Sequence, residues 1–172
     1  MTDQEMNANV NHPTHYTDNK TGYEVIIPKR CLCSDLADPF KYVSRRELKG
    51  VPRQDILKSV WYLRDYIAHP KIPYTCTDNK EIPELLYIIT RFAECEPVPA
   101  IKSVYGAIHA IVYKYFLDKV IDTRILSSIV DSLETYAKTL PMEKAIPNKA
   151  STEMSSDFIG DNHASSFDAR EG

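Results

Sequence analysis

The sequence predicts a mainly α protein: a bundle of about five helices, with an extended N-terminal arm before it and a disordered C-terminal tail after it. Three observations predict it. Between Pro39 and Ala137, apolar residues recur at three- and four-residue intervals, which places them on one side of successive helices. Breaks at Gly50-Val51-Pro52, from His69-Pro70 to Asn79, from Glu94 to Pro99 and near Asp122 divide these rows. Beyond about Met142, Ser, Asn, Asp and Glu dominate, and too few apolar side chains remain to offset the entropy of ordering.

Residues 1–9 are polar and are expected to be disordered. After the turn Asp18-Asn19-Lys20-Thr21-Gly22, the run Tyr23-Glu24-Val25-Ile26-Ile27-Pro28 is rich in β-branched residues, and Pro28 forbids a long helix through it. A short strand or extended arm is expected there, pairing with a neighbouring subunit or crossing the bundle as coil. Asp38-Pro39 reads as an N-cap followed by proline at the first helical position, with Phe40, Val43 and Leu48 as the apolar spacing. Pro52 opens a second helix, in which Ile56, Val60, Leu63 and Ile67 form one row, and it should end near His69-Pro70. Lys71 to Asn79 is a loop. Pro83 starts a third helix carrying Leu85, Leu86, Ile88, Ile89 and Phe92. A fourth runs from about Ala100 to Leu117 on Ile101, Val104, Tyr105, Ile108 and Val112. A fifth follows Asp122, with Leu126, Ile129, Val130, Leu133 and Ala137 facing in. Residues 10–70 then form a motif-bearing, ligand-binding segment, residues 71–142 complete the single domain, and residues 143–172 are the tail.

Composition bounds the function. With 172 residues, 43% of them hydrophobic, the chain can bury one core. A net charge of -3 and a pI near 6.0 argue against an extended nucleic-acid surface, so any phosphate site is local. No run is long and apolar enough for a membrane span, and the polar start lacks a signal-peptide layout; a soluble, cytoplasmic protein is expected. Cys31, Cys33, Cys76 and Cys95 include a C-x-C pair but neither C-x-x-C nor a zinc pattern. Free thiols and no metal site are expected.

Two blocks carry the chemistry. His12 and His15 flank Pro13, which holds the backbone extended and keeps the rings near one another. Imidazoles there can bond a phosphate, act as general acid or base, or bind metal, or else lock the loop onto backbone carbonyls. Both readings stay open, as do base stacking and core packing for Tyr16. Lys41 and Arg45 share one side of a helix, with Lys49 a further turn along, and a row of cations can wrap a polyphosphate. The alternative is a solvated face, to which Arg46, Arg53 and Lys58 can also belong. Of the nearby acids Glu24, Asp38 and Asp55, any can orient a histidine, pair with Arg45 or hold Mg²⁺, and Asp38 can simply cap a helix.

Familiar signatures are missing: no Walker loop, no G-x-G-x-x-G, no G-x-S-x-G, no H-E-x-x-H and no kinase catalytic loop. His109, inside an apolar helix, reads as a core histidine. Tyr105, Tyr113 and Tyr115 read as packing or interface residues.

Val10-Asn11-His12-Pro13-Thr14-His15-Tyr16, Gly22-Tyr23-Glu24, Lys41-Tyr42 with Arg45, Lys49-Gly50, Asp55 with Lys58, and Trp61-Tyr62-Leu63 resemble, in order and spacing, a small phage-encoded family catalogued as a domain of unknown function. The resemblance spans roughly residues 10–67. One branch of that family is a nucleotide kinase that has no Walker loop, phosphorylates deoxynucleoside monophosphates and forms a homo-oligomer. The resemblance therefore implies a nucleotide-binding protein of the host cytoplasm. His12, His15, Lys41 and Arg45 are the matching positions; on this reading His12, His15 and Arg45 would be catalytic and Lys41 and Tyr16 would hold the nucleotide, with the neighbouring cations Arg46 and Lys49 assisting. It implies a nucleoside triphosphate donor and leaves a magnesium requirement open. Related phage proteins are linked to abortive-infection defence, so the alternative is a non-catalytic protein that sequesters a nucleotide or contacts a host protein. Three stretches depart from the family pattern: Ala37-Asp38 stands for its G-N, Ser44-Arg45-Arg46-Glu47 for its W-R-A-G, and Pro28 interrupts a stretch that the family often carries as helix. The helices from Pro83 to Leu140 lie outside the resemblance.

Overall fold

The rows of apolar residues become helices. The computed structural model describes residues 20–48, 50–78 and 80–142, and among these it forms six helices: α1 (Ile26–Cys31), α2 (Ser34–Arg45), α3 (Pro52–Ala68), α4 (Glu81–Cys95), α5 (Pro99–Asp118) and α6 (Arg124–Thr139). The protein is mainly helical, as its periodicity predicts. The tail expected beyond Met142 and the disorder expected over residues 1–9 lie outside the described residues.

Two local expectations are corrected. The strand or arm expected over Tyr23 to Pro28 is instead a helical turn leading into α1, with Ile27 N–H bonded to the Glu24 carbonyl at 3.1 Å and Lys29 N–H to that of Val25 at 3.3 Å. Pro28 falls in the first turn of this short helix, where no intrahelical N–H is needed, and both Val25 and Pro28 are buried. Burial outweighs β propensity here. Extended pairing in this region is confined to an isolated antiparallel bridge between Leu32 and Tyr74, flanked by Cys33 N–H to the Pro73 carbonyl (2.9 Å) and Thr75 N–H to the Cys31 carbonyl (2.7 Å).

The second correction concerns Asp38-Pro39. The helix begins earlier, with Cys33 as the N-cap residue in an extended conformation, and Pro39 lies inside α2. The reason is the apolar face: Leu36, Phe40 and Val43 are spaced i, i+4, i+7 and have no exposed surface, so helix starting before Leu36 buries one more turn. Asp38 thus does not cap a helix. Its carboxylate accepts a hydrogen bond from Lys41 instead.

The other helices follow their predicted rows, although α4 begins at Glu81, two residues before the Pro83 expected to open it. Pro52 opens α3 and Pro99 opens α5, each in the first turn, where its missing N–H is harmless. Lys119 ends α5 in the left-handed region (φ 59°). α2 packs on α3, α3 on α6, α6 on α5 and α5 on α4, while α1 bridges α2 and α4. At the centre Phe40 meets Phe92 and Tyr105, each with ring centroids 4.9 Å away. Among the described residues no helix is long and apolar enough to cross a membrane.

Gly106 stands out in the middle of α5. Glycine in a helix interior costs about 1 kcal/mol relative to alanine. A Cβ built there would meet nothing within 4 Å. Nothing among the described residues demands the smaller residue.

Candidate functional site

α2 and α3 run antiparallel through a short connection, which aligns their motif residues in pairs. On α2, Asp38, Lys41, Tyr42 and Arg45 are spaced i, i+3, i+4, i+7 and share one face; on α3, Asp55, Lys58 and Tyr62 are spaced i, i+3, i+7 and do the same. The two faces meet. Arg45 pairs with Asp55, the Lys58 ammonium approaches the Tyr42 ring, and the Tyr62 phenol lies close enough to Asp38 to feel its charge.

Tyr42 is the centre of this arrangement. Lys41 Nζ lies 4.3 Å from its ring centroid, Arg45 Cζ 4.6 Å and Lys58 Nζ 5.6 Å, all within cation–π range. Tyr62 stacks beside it with centroids 5.9 Å apart and planes 22° from parallel. Trp61 meets Tyr62 edge-on at 4.9 Å and remains 61% exposed. Cations and aromatic rings thus form one continuous surface across two helices.

Its carboxylates temper the charge. Asp55 is fully buried and is gripped by Arg45, with Nε 3.0 Å from Oδ2 and Nη2 3.2 Å from Oδ1; Lys58 Nζ lies 3.8 Å from Oδ1. Asp38 pairs with Lys41. Of the roles open to these acids, Asp55 takes the pairing with Arg45. Three cations against two carboxylates leave one net positive charge. Burial, and then the nearby Asp38 charge, push the Tyr62 phenol above its ordinary pKa. Lys58 is the most accessible of the three cations, with 42% of its side chain exposed against 12% for Lys41 and 12% for Arg45.

Arg46 is placed elsewhere. It turns to the opposite side of the α2 terminus, where Nη1 and Nη2 bond both oxygens of Glu96 at 3.0 and 2.8 Å and Nη1 also donates to the Val43 carbonyl at 2.8 Å. Its Nε is shielded from solvent and has no hydrogen-bond partner among the described residues. A cavity of about 210 Å³ lies beside it, lined by Ser44, Glu47, Phe92, Glu96 and Tyr105 among others. The structure therefore brings Lys41 and Arg45 together and sets Arg46 apart. His12, His15, Tyr16 and Lys49 lie outside the described residues. Among the described residues, no three His, Cys, Asp or Glu side chains gather as a metal ion would require.

The sequence reading places Tyr42, Lys58 and Tyr62 in the motif and weighs Lys58 as a solvated cation, but counts none of the three among the site residues. The signal was present: the i+3, i+4, i+7 spacing recurs in both helices, and a two-helix hairpin must oppose such rows.

No protein-family model, no curated protein and no solved structure matches this chain.

Proposed function

We propose that the chain binds a nucleotide with its phosphates on the α2–α3 face, and that it acts as a deoxynucleoside monophosphate kinase without a Walker loop. One observation carries the reading: Lys41, Arg45 and Lys58 converge on the Tyr42 ring, beside the stacked Tyr62 and the exposed Trp61. Cations beside aromatic faces suit a ligand with an anionic end and a flat end. In this reading Lys58 and Lys41 neutralise the phosphates and the base lies against Trp61. Arg45 holds the face in shape through Asp55 and stabilises charge during transfer. His12 or His15 positions or protonates the transferring group. The terminal phosphoryl of a nucleoside triphosphate passes to a phosphate oxygen of the monophosphate, leaving two diphosphates.

A nucleotide-sequestering protein without turnover is the second reading. It is favoured by the ion pairs, because Arg45 and Lys41 already hold carboxylates, which suits a binding face more readily than a site built around a developing negative charge.

The test is a titration with deoxynucleoside mono- and triphosphates, followed by calorimetry and by the fluorescence of Trp61, the chain's one tryptophan. Binding with transfer supports the kinase, and binding without product supports sequestration. Lys58→Ala should weaken binding about tenfold without changing the fold, since the substitution removes an accessible charge. Loss of turnover with retained binding in His12→Ala would support the histidine role. No response to any nucleotide would sink both readings.

A further inference from the structure

The cavity beside Arg46 lies where the C-terminal ends of α2 and α4 come together, apart from the cations around Tyr42. Among the described residues, its hydrogen bonds leave acceptors open and donors spent. Arg46 Nη1 donates to the Val43 carbonyl and to Glu96, Nη2 faces Glu96 at 2.8 Å and Glu47 at 3.3 Å, and Nε is shielded from solvent. The guanidinium therefore has no N–H left to offer. Ser44 gives its hydroxyl proton to the Phe40 carbonyl at 2.7 Å, so in the 2.9 Å contact between Ser44 and Tyr105 the phenol is the donor. The Tyr105 oxygen keeps its lone pairs. Burial holds that phenol well above its ordinary pKa, so its proton stays in place. Glu47 adds a carboxylate at the rim, with 71% of its side chain exposed, and the buried Phe92 supplies an aromatic wall.

We infer that this cavity is a binding site for a small organic ammonium ion. Spare acceptors on Tyr105 and Glu47 need a donor, and an ammonium group brings three without an acceptor of its own. Its charge also fits. The formal charges around the cavity, Lys20 and Arg46 against Glu47 and Glu96, cancel, and the carbonyl ends of α2 and α4 then tip the balance toward negative. The face of Phe92 favours a cation for the same electrostatic reason. Size sets the rest of the ligand: about 210 Å³ is the share of roughly seven waters, which suits an alkyl chain of four or five carbons behind the ammonium. A nucleotide is too large and carries the wrong charge. This inference rests on the ends of α2 and α4 and does not depend on the nucleotide reading.

Calorimetric titration of the full chain with butylammonium tests it, with butanol and butanoate as probes of similar size and different charge. Butylammonium should bind with a Kd of about 1 mM, weak because so few atoms make contact, and the other two at least about tenfold more weakly. Cys95 lines the cavity and reports its occupancy. Its alkylation by iodoacetamide at fixed pH, read by peptide mapping, should slow at least about threefold when butylammonium saturates the site, while that of Cys31 should not change. Tyr105→Phe removes the phenol oxygen and should weaken binding roughly tenfold; Glu47→Gln removes the rim charge and should weaken it about threefold. Because Glu47 is exposed, its variant keeps the fold and decides the matter even if Tyr105→Phe melts early. No heat from butylammonium up to about 20 mM overturns the inference. So does equal binding of butanol or butanoate, an unprotected Cys95, or a folded variant that binds like wild type.

Discussion

Arg45 clasps Asp55 across the seam between α2 and α3, with two hydrogen bonds of 3.0 and 3.2 Å to a carboxylate that has no exposed surface. The pair fixes the register that brings Lys58 and Tyr62 opposite Tyr42 and Asp38. It is therefore a stability element as well as part of the candidate site. Removing one partner strands a buried charge, so Arg45→Ala should lower unfolding stability by about 3–5 kcal/mol, measured by urea denaturation at neutral pH. Arg45→Met with Asp55→Leu should recover much of that loss, because no charge is then left buried without a partner. A loss below about 1 kcal/mol in Arg45→Ala would show that water already solvates Asp55.

The other arginine of the adjacent pair performs a different task. Arg46 ties the end of α2 to Glu96, whose Oε1 also accepts the Val98 N–H at 2.9 Å just before α5 begins. One carboxylate thus joins three helices. Glu96→Gln keeps an acceptor for Val98 and loses the charge opposite Arg46, whereas Glu96→Ala loses both. Stability should fall in the order wild type, Gln, Ala, with Ala about 3 kcal/mol or more below wild type. Equal loss in the two variants would mean that the Val98 bond contributes nothing.

The helices were legible because their apolar spacing is a local property, and Ile56, Val60 and Leu63 have to share a face whatever else the chain does. The start of α2 was not. Asp38-Pro39 has the form of a helix start, but the burial of Leu36 and Ala37 depends on the neighbouring helices, which local spacing does not reveal. The run before Pro28 misled for a similar reason, since β-branched residues favour extended chain only when no helix-packed core claims them. In the candidate site, Lys41 and Arg45 could be read from their four-residue spacing. The matching row of Lys58 and Tyr62 was also legible as spacing, but which of its residues meets Lys41 and Arg45 was not, because that register is set by the Arg45–Asp55 pair. Arg46, one residue from Arg45, is turned away by the helical rotation of about 100° per residue.

The thiols respond to burial in a way that alkylation can read. Cys76 Sγ lies 3.7 Å from the Cys31 carbonyl and donates to it; burial first, and Cys31 second, push the Cys76 thiol from its ordinary 9.0 to about 11. That change lowers the thiolate population about a hundredfold at pH 8. Iodoacetamide should therefore label Cys76 about a hundred times more slowly in the folded protein than in urea at pH 8. The gap should close as the pH approaches 11. Comparable rates in both states at pH 8 would show that the thiol is solvated.

His109 provides a pH test with a definite sign. Burial lowers its pKa below the ordinary 6.5, so the folded chain favours the neutral ring that stacks on Tyr113. Below pH 6.5 the unfolded chain takes up a proton more readily than the folded one, which draws the equilibrium toward unfolding. The stabilisation is complete above pH 6.5 and is lost as the pH falls through the lower, folded pKa. Asp35 acts further down the scale. Burial alone would raise its pKa, but hydrogen bonds from Lys71 and Ser34 outweigh this and hold it below 3.8, so its contribution is lost only at more acid pH. Melting temperatures should therefore decline just below pH 6.5 in wild type. They should stay flat across that interval in His109→Gln, which keeps a polar side chain of similar size but cannot titrate. The same decline in both proteins would assign the acid sensitivity to another group.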